Sequence, residues 1–254
     1  MNYLVVLMVA FATTALTTPL VRKMAIRVGA VVQPGPASSR HVHTRPTPSL
    51  GGVAMFFGFL VAMAVASQMQ QFHEVFYGGS SEPVGVIFGA AVMLIVGLLD
   101  DLHDVSPPAK IAGMVLAASI MARFGVTMFF FRVPFGLMNP ETLVLSADLA
   151  PIITVLWVVL MANAINLIDG LDGLAAGIVL IAGTAFYLFA RQIAFKGALD
   201  GGNVAPLVAI IAIGICAGFL PWNKPPARIF MGDSGALFLG LLMAVPTIDR
   251  KSVV

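Results

Sequence analysis

The sequence predicts an all-α polytopic membrane protein, and three observations lead to that fold class. Hydrophobic residues make up 59% of the 254 residues, whereas charged residues make up only 10%. The mean hydropathy is +0.98. Apolar runs of about 20 residues, the length that crosses a hydrocarbon core of about 30 Å, recur along the chain. The composition therefore argues against a soluble fold.

The composition also narrows the function classes. The net charge is only +2, and no basic run is interleaved with aromatic residues, so nucleic-acid binding is not expected. The single cysteine, Cys216, lies inside an apolar run. An intrachain disulfide is therefore impossible, and we expect no redox role.

About eight membrane helices are expected, within a single transmembrane domain over residues 1–254. The first apolar run, 3–21, has no basic region before it and is followed by Arg22 and Lys23, the reverse of a cleaved secretory signal. The further candidates are 50–67, 84–99, 111–122 with extension at either end, 150–168, 174–190, 204–220 and a last span beginning near Ala236. Between the fourth and fifth runs, the aromatic and β-branched segment 126–136 predicts a short outer β-hairpin.

The basic residues indicate the orientation of these spans. If the spans alternate in direction, one side carries eight basic residues: Arg22, Lys23, Arg27, Arg40, Arg45, Lys110, Lys224 and Arg228. The other side carries four: Arg123, Arg132, Arg191 and Lys196. The positive-inside bias therefore places the first side in the cytoplasm and the N-terminus outside.

Acidic residues concentrate on the predicted cytoplasmic side. Six of the twelve fall in three short segments: Asp100, Asp101, Asp104, Asp169, Asp172 and Asp233. Taken singly, each segment is best interpreted as a helix end, where a charge costs little. Carboxylates about 4 Å apart repel by about 4 kcal/mol at the effective dielectric of a protein surface, so bringing the segments together requires a cation. Oxygen donors without clustered Cys or His favour Mg²⁺, with Mn²⁺ as the alternative.

The neighbours of these acids suggest a site rather than scattered helix ends. Four polar residues recur at every third position, which on a helix gives one slowly turning stripe: Asn163, Asn166, Asp169 and Asp172. The segment 232–235 predicts a turn and a helix start, with Asp233 or Ser234 as its cap. Acids, a divalent ion and nearby bases together suit a phosphorylated substrate at the inner membrane face.

Four segments resemble the polyprenyl-phosphate N-acetylhexosamine-1-phosphate transferase family. This bacterial group includes undecaprenyl-phosphate N-acetylglucosamine-1-phosphate transferases and the phospho-N-acetylmuramoyl-pentapeptide transferase. The segments are "RHVHTRPTPSLGG" (40–52), "GLLDDLHDVSPPAK" (97–110), "NAINLIDGLDGLAAG" (163–177) and "NKPPARIFMGDSGALFLG" (223–240). The resemblance spans nearly all of residues 20–245 and implies a multi-pass protein of the bacterial cytoplasmic membrane.

The resemblance implies that undecaprenyl phosphate attacks the β-phosphorus of a UDP-N-acetylhexosamine and releases UMP, with Mg²⁺ bridging the pyrophosphate. Asp233 and Asn166 are similar to the metal-binding positions of the family. Asp100 and Asp101 match the acidic pair credited with activating the lipid phosphate or holding the metal. Substrate contacts are implied for six further residues: Arg45, Lys110, Asp169, Asp172, Asn223 and Phe230.

Several alternatives stay open at this point. The family pattern continues with further spans and a histidine-rich loop, so we expect a chain that is incomplete at its C-terminus, with residues 249–254 artefactual. A truncated, inactive membrane scaffold is one alternative, and a secondary transporter with acids near mid-membrane is another. The first motif resembles the N-acetylglucosamine branch, with the phospho-N-acetylmuramoyl-pentapeptide transferase as the alternative. The lipid bilayer is a further partner, and a homodimer is left open.

Overall fold

The computed structural model of the protein describes residues 2–33, 46–132, 142–196 and 202–248. These residues are mostly helical. The helices are α1 (Asn2–Val28), α2 (Gly51–Ser67), α3 (His73–Tyr77), α4 (Glu82–His103), α5 (Pro107–Arg123), α6 (Leu149–Ile168), α7 (Leu174–Phe195), α8 (Ala205–Asn223) and α9 (Gly232–Ile248), with a 3₁₀ turn at Gln70–Phe72.

Each apolar run in the sequence corresponds to one of these helices, which confirms the all-α fold class. Five of them, α1, α4, α6, α7 and α8, are long and apolar enough to cross a membrane. A sixth span results if α2 is counted together with the 3₁₀ turn and α3, across a bend of 94°. The expected count of eight is not confirmed. Helices α5 and α9 have only 17 residues each, or about 26 Å, less than the hydrocarbon thickness.

Four short strands form two antiparallel pairs. Strand β1 (Val31–Val32) pairs with β2 (Thr47–Pro48), and β3 (Phe130–Arg132) pairs with β4 (Thr142–Val144). The second pair confirms a short β-hairpin between α5 and α6, but only β3 lies within the predicted segment 126–136, because β4 begins at Thr142. The residues that join its strands, 133–141, lie outside the described residues.

The core of the bundle is built on α8 and α9. Helix α8 packs between α1 and α7, α9 packs between α4 and α6, and α2 contacts both α8 and α9. A helix that is apolar on every face must be buried, and α8 is apolar and largely buried along its length. Helices α1, α6 and α7 instead expose large side chains such as Leu16, Leu160 and Ile181, as a lipid-facing surface does.

The two ends of the bundle differ in chemistry. Near the start of α1, Tyr3 packs edge-on against Phe72 at a centroid distance of 5.0 Å, and the guanidinium carbon of Arg191 lies 5.6 Å from the Tyr3 ring centroid. Towards the end of α1, the Nε of Arg22 donates a hydrogen bond to the carbonyl of Arg228 at 2.9 Å. The aromatic end and the polar end are therefore separate. Which of them faces the cytoplasm stays a prediction.

Candidate active site

The junction between α4 and α5 places an acid beside a base. The Oδ1 of Asp100 accepts a hydrogen bond from the amide of Val105 at 2.8 Å. Asp104 has a φ of 48°, a conformation that aspartate tolerates better than most residues, and the chain turns there. Pro107 then begins α5 at a position that needs no amide hydrogen. Lys110, in the first turns of α5, reaches back so that its Nζ lies 2.9 Å from Asp100 Oδ2.

Lys110 also contacts two further helices. Its Nζ donates to Asp233 Oδ2 at the start of α9 and to Asn166 Oδ1 on α6 at 3.1 Å. The Nδ2 of Asn166 donates to Asp233 Oδ1 at 3.0 Å. This amide orientation is assigned from the partners, because only it pairs donors with acceptors. We call Asp100, Lys110, Asn166 and Asp233 the charged cluster. Residues predicted from four separate helices therefore meet at one ammonium group.

The charged cluster is accessible but only partly solvated. The side chains of Lys110, Asp100 and Asp233 retain 15%, 18% and 28% of their exposure. Electrostatic interactions at such sites are stronger than in bulk water. Two carboxylates face one ammonium, so the cluster keeps a surplus of negative charge. A cation or a metal-bound anion would be stabilised there.

Asp101, the second acid of the predicted pair, makes different contacts. Its Oδ1 accepts the amide hydrogen of Asp233 at 2.9 Å, and its Oδ2 accepts that of Ser234 at 3.1 Å. The first amides of a helix lack partners within the helix, so Asp101 caps α9 from a neighbouring helix. The expected cap by Ser234 is wrong, because its Oγ donates instead to the carbonyl of Met231 at 3.3 Å.

Asp169 lies, partly buried, in the turn between α6 and α7. Burial raises the pKa of this carboxyl well above its usual range, and the charges of Asp233, Asp101 and Asp172 raise it further. Helix α6 ends one residue before Asp169. The polar stripe predicted over 163–172 is therefore broken, and its last two members lie in the turn instead of on the helix.

Asp172 and Asn223 hold the segment after α8 against the turn before α7. The Oδ2 of Asp172 accepts the amide hydrogen of Ala227 at 2.8 Å. Asn223, only 2% exposed, accepts from the amide of Gly173 at 3.0 Å and donates to the carbonyl of Ile229 at 3.1 Å. We call Asp172 and Asn223 with these main-chain partners the backbone clasp. Its side chains fix the path of the chain.

A groove of about 1390 Å³ opens beside the backbone clasp. Asp172 lines it together with three cationic residues, Arg22, Lys224 and Arg228, and with apolar residues of α7 and α8. The volume exceeds the range of about 300–1,000 Å³ that is usual for small-molecule sites. The groove is therefore large enough for a nucleotide sugar.

Two predicted substrate residues remain, Phe230 and Arg45, and the structure describes only Phe230. The amide of Phe230 donates to the carbonyl of Pro48 at 2.8 Å, and its own carbonyl accepts from the amide of Gly51 at 2.9 Å. These bonds join the first sequence motif to the segment before α9. Stacking of Phe230 on uracil stays a prediction. Arg45 lies outside the described residues.

The donor chemistry of the charged cluster fits magnesium. Carboxylate oxygens from Asp100 and Asp233 and an amide oxygen from Asn166 are ligand types that this ion prefers. In the part of the chain that the structure describes, no three His, Cys, Asp or Glu side chains are grouped as a metal site. The Lys110 ammonium contacts both carboxylates of the charged cluster.

Two glycines that were not among the predicted site residues let these elements approach. Gly232 has a φ of 70°, and a Cβ there would lie 2.5 Å from an Asp101 carboxylate oxygen. A Cβ at Gly97 would lie 2.5 Å from the carbonyl carbon of Asp233. Both glycines stand inside the quoted motifs, one directly before Asp233 and the other three residues before Asp100. These positions beside the aspartates could have predicted that both glycines are needed for close packing.

The chain matches one transferase family and is similar to several curated transferases. Residues 83–250 match the family described as glycosyl transferase family 4. The chain is 38% identical over 245 residues to the decaprenyl-phosphate N-acetylglucosaminephosphotransferase of Mycobacterium tuberculosis, covering 95% of this chain and 58% of that protein. It is 37% identical over 242 residues to the probable undecaprenyl-phosphate N-acetylglucosaminyl 1-phosphate transferase of Bacillus subtilis, covering 95% and 61%. Identity to the phospho-N-acetylmuramoyl-pentapeptide-transferase of Mycobacterium sp. (strain JLS) is 34% over 282 residues, covering 96% and 75%.

The matches cover most of this chain but only part of the N-acetylglucosamine relatives. The chain spans only about three fifths of the length of the two N-acetylglucosamine relatives. The family match covers more than half of the chain, and it includes the motifs at 97–110, 163–177 and 223–240. The protein belongs to glycosyl transferase family 4.

Proposed function

We propose that the protein transfers N-acetylglucosamine 1-phosphate from UDP-N-acetylglucosamine to undecaprenyl phosphate and releases UMP. The observation that carries the proposal is the charged cluster, in which polar groups from four helices meet at one end of the bundle. The names of two relatives, at 38% and 37% identity, support the same sugar and a polyprenyl phosphate acceptor.

The proposed reaction needs no covalent bond between the substrate and the protein. A phosphate oxygen of the lipid forms a bond to the β-phosphorus of the UDP-sugar, and the bond from that phosphorus to the bridging oxygen breaks as UMP leaves. Phosphoryl transfer depends mainly on alignment and on neutralising charge. Lys110 would neutralise phosphate oxygens, and Asp100 would orient Lys110 through their 2.9 Å contact. The lipid phosphate is ionised at neutral pH, so Asp100 need not accept a proton.

We propose that Asp233 and Asn166 hold a magnesium ion, for which manganese would substitute. When bound, such an ion neutralises charge on the diphosphate. Support comes from the oxygen-rich donor set and from the surplus of carboxylate over ammonium in the charged cluster. Asp169 lies in the turn between α6 and α7, where burial, then the charges of Asp233, Asp101 and Asp172, raise the pKa of its carboxyl.

The groove beside the backbone clasp is the proposed nucleotide pocket. Its cations, Arg22, Lys224 and Arg228, suit an anionic ligand. Asp172 and Asn223 would maintain its wall. The predicted contacts of Phe230 and Arg45 with the substrate belong to the same proposal.

We also propose that the polar end of the bundle faces the cytoplasm and that the N-terminus lies outside. The excess of basic residues on that side supports this orientation. Cys216 is fully buried, so added cysteines can be labelled against a silent background. We expect an impermeant maleimide to label Glu74→Cys in whole cells and Lys224→Cys only after permeabilisation. The reverse pattern would contradict the orientation.

A second sugar specificity is supported by the phospho-N-acetylmuramoyl-pentapeptide relative, of whose length the chain covers 75%. Identity to that relative is 34%, lower than the 38% and 37% for the N-acetylglucosamine relatives. We therefore propose UDP-N-acetylglucosamine as the donor. An assay that offers both donors separately distinguishes the two.

The test is an exchange assay on protein expressed from its complete reading frame. Radiolabelled UMP should enter UDP-N-acetylglucosamine only when Mg²⁺ and undecaprenyl phosphate are both present. The matched variants are Asp233→Asn and Asp148→Asn, because Asp148 is exposed at the opposite end of α6 from Asn166. Exchange that is absent with the native protein, or equal in both variants, would contradict the proposal.

A further inference from the structure

The start of α9 is held by contacts from two other helices. Asp101 on α4 accepts the amide hydrogens of Asp233 and Ser234 at 2.9 and 3.1 Å. The amides of Gly51 and Gly52 on α2 donate to main-chain carbonyls just before α9, with Gly52 bonding to Met231 at 2.9 Å. The first turn of α9 is therefore fixed from both sides.

The close approach depends on positions that have no side chain. A Cβ at Gly97 would lie 2.5 Å from the carbonyl carbon of Asp233 and closer still to Ser234. A Cβ at Gly232 would lie 2.5 and 2.6 Å from the two oxygens of Asp101. A larger residue at either position would push α9 away from α4. The carboxylate of Asp101 and the main chain of Asp233 are thus fitted to each other.

We propose that Asp101 is a positioning residue, which sets Asp233 against Lys110 by holding the first amides of α9, and which neither binds the ion nor takes a proton in the transfer. The transfer reaction in this proposal is the proposed function, on which this part rests. The positioning role rests on the hydrogen bonds alone. Both oxygens of Asp101 are directed to the main chain, whereas Asp100 Oδ2 and Asp233 Oδ2 are directed to Lys110. The two acids of the pair therefore have different tasks.

The first experiment does not depend on activity. Hydrogen exchange, followed by mass spectrometry, is measured for a peptide covering 231–236 in nanodisc-embedded protein. We expect exchange at this peptide to rise about tenfold or more in Asp101→Ala, because its two amides lose a charged acceptor. Asp101→Asn, which keeps one carbonyl acceptor, should give an intermediate rise, and Asp100→Asn should leave the peptide unchanged. Unchanged exchange in Asp101→Ala overturns the proposal.

The second experiment separates positioning from proton transfer. In Asp101→Asn we expect kcat to fall about 10²-fold, because small misplacements of reacting groups have effects of that size. The KM for the lipid and the acidic limb of the pH–rate profile should stay in place. A shift of that limb, or rescue of the variant at high pH, would overturn the proposal by showing that Asp101 titrates in the reaction.

A glycine variant supplies a test that changes no ionisable group. Gly97→Ala should raise exchange at 231–236 and lower kcat as Asp101→Asn does, whereas Gly177→Ala, with no atom within 4 Å of the added methyl group, should change neither. If Gly97→Ala does not fold, the Asp101 variants still decide. Native protein that exchanges as described but shows no transfer would contradict the proposed function and leave the positioning role supported.

Discussion

The charged cluster and the backbone clasp both lie at the polar end of the bundle. They contain the same residue types but make different kinds of contact. In the charged cluster, Asp100, Asn166 and Asp233 bond to the side chain of Lys110. In the backbone clasp, Asp172 and Asn223 bond to main-chain groups of the segment that follows α8 and of the turn before α7. One region gathers charge, and the other fixes shape.

The difference shows why residue type alone does not reveal a role. A carboxylate that faces an ammonium keeps lone pairs and charge for a ligand, because the exposed edge of the cluster remains accessible. A carboxylate or amide that bonds to a main-chain group already uses its polar atoms to satisfy that group, so its role is structural. Substitutions in the charged cluster should therefore act on kcat, and those in the backbone clasp on KM and stability.

The largest effect is expected for Asp233→Ala. The variant removes a proposed metal ligand together with the carboxylate that pairs with Lys110. We expect transfer to fall by about 10³-fold or more, because preorganised charge supplies much of the rate of such reactions. Initial rates with radiolabelled UDP-N-acetylglucosamine measure the loss, and the amount of protein in the membrane should match that of Asp148→Ala. A near-normal rate would break the contrast between the two regions.

Lys110→Met should have the next largest effect. Without the ammonium, Asp100 and Asp233 repel each other and the phosphate loses a cation. We expect kcat to fall about 10²-fold, while Mn²⁺ binding, measured by electron paramagnetic resonance, becomes no weaker because a competitor for the carboxylates is gone. A rise in KM with an unchanged kcat would instead assign Lys110 to uniform substrate binding.

Asn223→Ala tests the backbone clasp. The variant leaves the part-buried amide of Gly173 and the buried carbonyl of Ile229 without this partner. We expect the free energy of unfolding to fall by about 1–3 kcal/mol, measured by denaturation in detergent. The KM for the nucleotide sugar should rise about tenfold, with kcat within a factor of about three. A large loss of kcat at normal stability would mean that Asn223 acts in the chemistry.

The smallest effect is expected for Asp172→Asn. The carbonyl of the new amide can still accept the hydrogen bond from Ala227, so the path of the chain is kept. We expect KM and kcat to stay within about threefold of the native values. The same isosteric change at Asp233 should abolish transfer, and this pair of variants sharpens the comparison most. Equal losses at both positions would remove the distinction between charge and shape.

Hydropathy and motifs predicted much of the fold and the members of the charged cluster. Every apolar run became a helix, because a helix satisfies its own backbone hydrogen bonds when such a segment is buried in lipid or protein. The motifs brought Asp100, Lys110, Asn166 and Asp233 together as the resemblance implied. The expected count of eight spans is not confirmed, because the boundaries of an apolar run do not fix the length of the helix, as the 17 residues of α5 show.

The parts that the sequence did not predict depend on tertiary contacts. Asp101 caps a helix more than 130 positions away along the chain, so no local pattern marks it. The sequence did not predict that α6 ends before Asp169, because the spacing of polar residues at every third position continues from the helix into the turn. The pairing of β1 with β2 joins segments of two residues each, which are too short to give a periodic signal.

The most direct test of the central claim is Mn²⁺ binding in the presence of UDP, measured by electron paramagnetic resonance on nanodisc-embedded protein. We expect one bound ion per chain in the native protein and in Asp148→Asn. Asp233→Asn and Asn166→Ala should each weaken that binding by at least about tenfold. An affinity that is unchanged in Asp233→Asn would contradict the claim that the charged cluster holds a divalent ion with the nucleotide.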